Sequence, residues 1–213
     1  RQMCIRDRNW KDKGEIALTQ KTAYPWEGNV RVEFDRVPRK AGAFSLFLRI
    51  PEWCEKAMLT VNGELVPVAA KANTYAEVKR TWKKGDVVEW VMDMPVRLLE
   101  AHPLAEEIRN QVVVKRGPLV YCLESMDMRG GGSIDNVLIP ADIKLIPKKV
   151  TIEGSPVGAL EGKARLIASH SWEGILYRPV SFAGKTVDIR LIPYYAWGNR
   201  GKGEMTVWMP LGR

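Results

Sequence analysis

Residues 29–35 read NVRVEFD, in which Val30, Val32 and Phe34 alternate with Arg31, Glu33 and Asp35. A period of two puts three apolar side chains on one side of an extended chain and three charges on the other, which predicts a half-buried strand. The same period recurs downstream. AFSLFLRIP, residues 43–51, sets Phe44, Leu46, Leu48 and Ile50 on one face, and Pro51 ends the run because it lacks a ladder donor. AMLTVNGELVPV, residues 57–68, holds two short strands about Asn62-Gly63, a strong hairpin signal. Tyr75, Val78 and Trp82 lead into a turn at Lys84-Gly85-Asp86, followed by the β-branched run 87–91 that contains Trp90.

Beyond residue 110 the pattern continues. Strands are expected over 111–115 and 119–123, either side of a turn at Gly117-Pro118, and MRGGGSIDN (128–136) reads as a loop. VLIPADIKLIP (137–147), KARLIASHSW (163–172), ILYRPVSF (175–182), TVDIRLIPYYAW (186–197) and EMTVWMP (204–210) are short apolar segments separated by Gly or Pro. Short strands at such spacing predict an all-β chain of two consecutive antiparallel β-sandwich domains, jelly-roll-like in type. The polar stretch RLLEAHPLAEEIRN, 97–110, is the natural link, with one helical turn near 105–108. The domains are therefore expected at 9–97 and 98–213, each of ordinary size.

Residues 1–8, RQMCIRDR, do not read like the rest. They resemble the translated sequencing-adapter read-through found at the ends of metagenomic gene models. On that reading Cys4 leaves the cysteine count, and the sequence is expected to be the C-terminal remainder of a bacterial protein whose gene was cut at its 5′ end, which leaves its compartment open.

The composition, 46% hydrophobic and 27% charged, is that of a globular chain. No apolar run approaches the roughly 20 residues of a membrane span, so no membrane partner is expected. The formal charge of +8, or +6 without the first eight residues, is scattered. Its densest groups, Lys83-Lys84 and Lys148-Lys149, adjoin turns, and no nucleic-acid partner is expected.

Convergent chemistry is scarce. Glu52, Glu55, Glu106, Glu107 and Glu124 are the carboxylates from which a glycosidase pair would have to come, but Glu106 and Glu107 lie in the polar link. Cys54 or Cys122 with His102 or His170 would be the material for a Cys–His nucleophile; Cys122, inside LVYCLE, reads instead as a buried, unreactive thiol. No metal-ligand spacing and no phosphate-binding glycine loop occurs, so no catalytic and no metal residue is assigned. Trp90 and Trp208, within apolar strands, are expected in the core.

LIPYYAWGNRGKGEMTVWMP, residues 191–210, differs in kind. It places Tyr194, Tyr195, Trp197 and Asn199 at the entrance to a Gly-rich tip. These four are the candidate carbohydrate-binding residues, because aromatic faces pack on sugar C–H surfaces. The competing reading is a closing hairpin whose aromatics dock on another domain, since large aromatics also dominate interfaces.

Five segments in order, YPWEGNVRVEF, FSLFLRIPEWCEKAMLTVNGE, WKKGDVVEWVMDMPVRLLEAHP, VVVKRGPLVYCLE and IPYYAWGNRGKGEMTVW, together resemble glycoside hydrolase family 127, which includes β-L-arabinofuranosidases. The resemblance runs from about Thr19 to Pro210. It implies that a helical (α/α) barrel precedes these sandwiches and carries the active site: a cysteine nucleophile held on zinc by further cysteines and a glutamate, and a glutamate acid/base. Neither Cys54 nor Cys122 matches the nucleophile's motif, so no catalytic or zinc residue transfers to this chain. The resemblance implies a non-catalytic C-terminal portion of a retaining glycosidase acting on plant arabinofuranosides, with no cofactor of its own. Its partners would be the missing barrel and arabinose-containing glycans. The alternative is a stand-alone carbohydrate-binding module.

Overall fold

Among the described residues, seventeen strands account for nearly all of the regular structure. In chain order they are β1 (Gln2–Trp10), β2 (Gly14–Thr22), β3 (Asn29–Arg36), β4 (Ala43–Ile50), β5 (Ala57–Val61), β6 (Glu64–Leu65), β7 (Thr74–Thr81), β8 (Val87–Met92), β9 (Val96–Glu100), β10 (Gln111–Arg116), β11 (Leu119–Arg129), β12 (Val137–Pro140), β13 (Ile146–Ile152), β14 (Ser155–Ile167), β15 (Gly184–Pro193), β16 (Met205–Thr206) and β17 (Met209–Gly212). The computed structural model describes residues 2–11, 13–67, 71–168, 174–177, 179 and 183–212, with backbone alone over 2–9. His170, Trp172, the side chain of Cys4 and half of the expected strand 175–182 lie outside the described residues. The helical turn expected near 105–108 is a single 3-10 turn at Glu106–Ile108. The chain divides into two units, Arg1–Pro95 and Val96–Arg213.

In the first unit a six-stranded sheet, ordered β1-β2-β3-β8-β5-β6, accompanies the two-stranded pair β4-β7. The alternation in 29–35 and 43–50 decides which faces meet. Val32 and Phe34 of β3, Leu59 and Val61 of β5, and Val88 and Trp90 of β8 share one core with Ile50 of β4 and Ala76 and Val78 of β7. At its centre Phe34 stacks on Trp82 with ring centroids 4.5 Å apart, and the Trp82 indole N–H donates to the Phe44 carbonyl at 3.0 Å. Such aromatic pairs add stabilisation beyond the area they bury. Tyr75, grouped with Val78 and Trp82 by its spacing, is instead 58% exposed on the far side of the β4–β7 pair, under the Arg49 guanidinium.

Asn62-Gly63 forms the expected tight turn, with φ of 54° and 84°. A positive φ at both positions matches the strand twist in a two-residue hairpin. Asn62 also joins this turn to the next. Its side-chain Oδ1 accepts from the Val87 N–H at 2.8 Å, and its amide donates to Asp86 at 3.0 Å.

The second unit departs from the expected sandwich. Strands β11, β15, β14, β12, β17 and β10 are hydrogen-bonded in sequence, and β10 pairs back to β11, so the sheet closes into a six-stranded ring. It is mixed, because β12 and β17 run parallel. β9, β13 and β16 attach outside the ring to β10, β14 and β11. Closure removes the edges that two open sheets would leave. Leu123, Leu191 and Leu160 lie side by side across three strands, all with no exposed surface, and mark the inward face.

The opposite parity builds a second cluster on the outer face, from Cys122, Ile192, Ala159, Val157, Ile152 and Ala196, with Met205 and Val207 against it. The segment 194–208 that covers it is not a paired hairpin. β16 pairs with β11, whereas β17 re-enters the ring between β10 and β12. The closing hairpin expected at 191–210 is thus an excursion over the outside of the ring, because the strands flanking it find different partners. Trp90 is buried as expected; Trp208 is only half-buried.

Candidate functional site

The excursion begins where Pro193 ends β15 and a 3-10 turn, Tyr194–Ala196, follows. The Trp197 N–H donates to the Tyr194 carbonyl at 3.3 Å, and the Asn199 side-chain amide donates to the Ala196 carbonyl at 3.2 Å. Only Ala196 of the turn is buried. Tyr194, Tyr195 and Trp197 stand 47%, 57% and 43% exposed, so the structure gathers three of the four candidate residues as open aromatic surface. Asn199 serves the turn's own geometry.

What holds this surface in place is a buried ionic clasp. Arg200 donates through Nε to Glu124 at 3.1 Å and through Nη1 to Asp127 at 3.0 Å, and its Nη2 reaches both carboxylates. Glu124 and Asp127 are buried residues. Glu124 also accepts the Gly198 N–H at 3.0 Å, where a φ of 76° lets the backbone turn inward. The hydrogen bonds that Arg200 donates to Asp127, and then those to Glu124, raise its pKa against its own partial burial.

Both carboxylates come from β11, which carries an irregularity. Between Leu123 and Met128 the strand slips register against β15, while on its other edge Leu123 and Glu124 pair with β16. A bulge re-aims side chains, and here it brings Asp127 to the face that Glu124 shares with Cys122 by plain alternation. Sequence reading singled out Glu124 as a carboxylate but did not join it to Arg200. The available signal was an acid inside the apolar run LVYCLE, which needs a cationic partner when buried.

Chemically the cluster is closed. A glycosidase pair needs two carboxyls free to address one bond, and both of these are occupied by one guanidinium. Glu52, Glu55, Glu106 and Glu107 are exposed, and Glu106 faces Arg109 at 3.5 Å. Cys54 and Cys122 have no exposed surface. Burial first, then the charges of Glu124 and Asp127, push the Cys122 thiol up to about 12, and its S–H faces the Ile192 carbonyl. His102 accepts the Leu104 N–H through Nδ1 at 3.2 Å. Among the described residues no group of three His, Cys, Asp or Glu could hold a metal ion, so this chain's described residues do not fit the zinc site that the family resemblance implies.

The first unit thus joins a six-stranded sheet to a two-stranded pair, and the second is a closed mixed barrel carrying an open aromatic surface. The chain matches the β-L-arabinofuranosidase family 127 middle domain over residues 5–94 and the glycoside hydrolase family 127 C-terminal domain over 96–210. It belongs to glycoside hydrolase family 127. It is 30% identical over 204 residues to a non-reducing end β-L-arabinofuranosidase of Bifidobacterium longum subsp. longum, an alignment covering 91% of this chain and 30% of that protein. Among solved structures, one described as a glycoside hydrolase is 78% identical, with a TM-score of 0.95 over 100% of this chain and 35% of its own. A family 127 β-L-arabinofuranosidase from Geobacillus stearothermophilus T6 is 37% identical, with a TM-score of 0.86 over 98% of this chain and 32% of its own. The chain therefore spans about a third of the length of the relatives it matches.

Proposed function

We propose that this chain is the non-catalytic β-portion of a retaining β-L-arabinofuranosidase, and that it supports an N-terminal (α/α) barrel which hydrolyses plant arabinofuranosides on a zinc-bound cysteine. The observation that carries this reading is the match to the family's middle and C-terminal domains in order, at a third of the relatives' length. The shared core between the six-stranded sheet and the β4–β7 pair favours reading the first unit as a jelly-roll-like sandwich. The closed clasp supports a structural role, because its acids are spent on fixing a loop. Assay of the purified chain on an aryl β-L-arabinofuranoside with zinc supplied should give no turnover above background. Zinc-dependent turnover that survives purification would overturn the reading.

The exposure of Tyr194, Tyr195 and Trp197 favours a second reading, a carbohydrate-binding face on the second unit that engages arabinose-containing glycans. Titration of arabinan oligosaccharides against tryptophan fluorescence should then saturate, and the response should disappear in Trp197→Ala. A flat titration removes this reading and leaves the supporting role.

A further inference from the structure

Beside the clasp, on the outer face of the ring, lies a cleft of about 490 Å³ lined from β11, β13, β14, β15 and the link before β13. Its lining holds five cations, Arg129, Lys144, Lys148, Lys163 and Arg190, against three carboxylates, Asp127, Glu161 and Asp188. Each carboxylate is already engaged. Asp127 is held by Arg200, Glu161 accepts from Arg190 at 2.8 Å, and Asp188 accepts from Lys163 at 3.0 Å. Among the described residues, Arg129, Lys144 and Lys148 have no ion-pair partner within 4 Å, although Arg129 lies opposite Asp188 across the β11–β15 ladder. Met126 and Ile146, 43% and 59% exposed, supply an apolar floor.

From this geometry we infer that the cleft binds a saccharide bearing carboxylates, that is, a short uronate-containing chain. Cations left over after internal pairing call for an external anion, and Arg129 presents a fork that matches a carboxylate in two bonds. The volume falls in the range of about 300–1,000 Å³ that accommodates an organic ligand, more than a bare inorganic anion fills. The apolar floor suits the C–H face of a sugar ring. The choice of sugar as carrier rests on family membership; the site itself is independent of any catalytic domain and of the aromatic surface at 194–197.

The test is calorimetric titration of the full chain with trigalacturonate, a neutral arabinan trisaccharide and inorganic phosphate at low ionic strength, where exposed charges are least screened. Trigalacturonate should bind saturably and more tightly than phosphate, and the neutral sugar should give no signal at this cleft. The double variant Arg129→Ala/Lys148→Ala, whose changes are on the surface, should keep the thermal unfolding of the parent and weaken trigalacturonate by about 10-fold or more, a loss of about 1.4 kcal/mol. Lys144→Ala alone should weaken it to a smaller extent. No saturable binding, equal binding by the double variant, or phosphate binding as tightly as the trisaccharide would each overturn the assignment. None of these outcomes bears on whether the chain supports a hydrolase barrel, which the turnover assay decides separately.

Discussion

Arg200 decides more than its position in a Gly-rich tip suggests. One guanidinium neutralises two buried acids and fixes the backbone of 197–200 through Glu124. Removing one partner from a buried ion cluster leaves charge uncompensated, so Arg200→Ala should destabilise the second unit by about 3 kcal/mol. Arg200→Lys should recover only part of this, because an ammonium lacks the fork that reaches both acids. Urea titration followed by tryptophan fluorescence would measure both. At Asp86, burial works to raise the pKa, but hydrogen bonds from Asn62 and the Lys83 N–H, with Arg80 and Lys83 nearby, outweigh it and hold the carboxyl below its ordinary 3.8. A lowered pKa in the folded state means stability present above the unfolded value and lost as pH falls through the folded one. The first unit should therefore weaken below about pH 3.8, and Asp86→Asn should flatten that acid limb in a pH series of thermal melts. Cys122, with its thiol pushed up to about 12 and no exposed surface, should resist thiol reagents at neutral pH until the barrel unfolds.

At the scale of elements, the strand positions were legible because a period of two is local. Each of 29–35 and 43–50 carries its own inward and outward faces, 111–116 carries a run of three buried valines, and Asn62-Gly63 carries its own turn. Ring closure was not legible, because it depends on β17, four residues long, pairing with β10 on one side and running parallel to β12 on the other. Nothing in MPLG specifies those partners. The clasp was hidden for a related reason: Glu124 and Arg200 are 76 residues apart, and a register slip in β11 aims Asp127. Close approaches are similarly invisible in sequence. A Cβ on Gly162 of β14 would sit 2.8 Å from the Lys144 carbonyl and 2.9 Å from the Leu145 side chain. Gly162→Ala should push the link before β13 outward and destabilise the unit by about 1–3 kcal/mol. It should also weaken trigalacturonate in the same calorimetric titration, because Lys144 would move.

For the whole molecule, the scattered charge of +8 proves less diffuse than its spacing suggests, since strands distant in sequence bring five cations to one cleft. Composition still points away from nucleic acid, because these cations sit among carboxylates over an apolar floor and not along a continuous basic stripe. The two units are built differently, the first around one aromatic-rich core between sheets, the second around a closed ring with a further apolar cluster outside it. Deleting 209–212 should therefore spare the first unit and selectively lower the melting transition of the second, because β10 and β12 would lose the strand between them. Calorimetric melting of the truncated chain would resolve the two transitions.

The position of β17 in the ring also constrains how the polypeptide is made. The first unit draws only on residues that precede 96, so it has everything it needs while synthesis is still under way. The barrel has no such head start: its closing staple is translated well after β10 and β12, and until it emerges those two strands expose unpaired edges to every neighbouring nascent chain. Chaperone demand during biogenesis should accordingly concentrate on the second unit, in the interval between translation of β12 and emergence of β17.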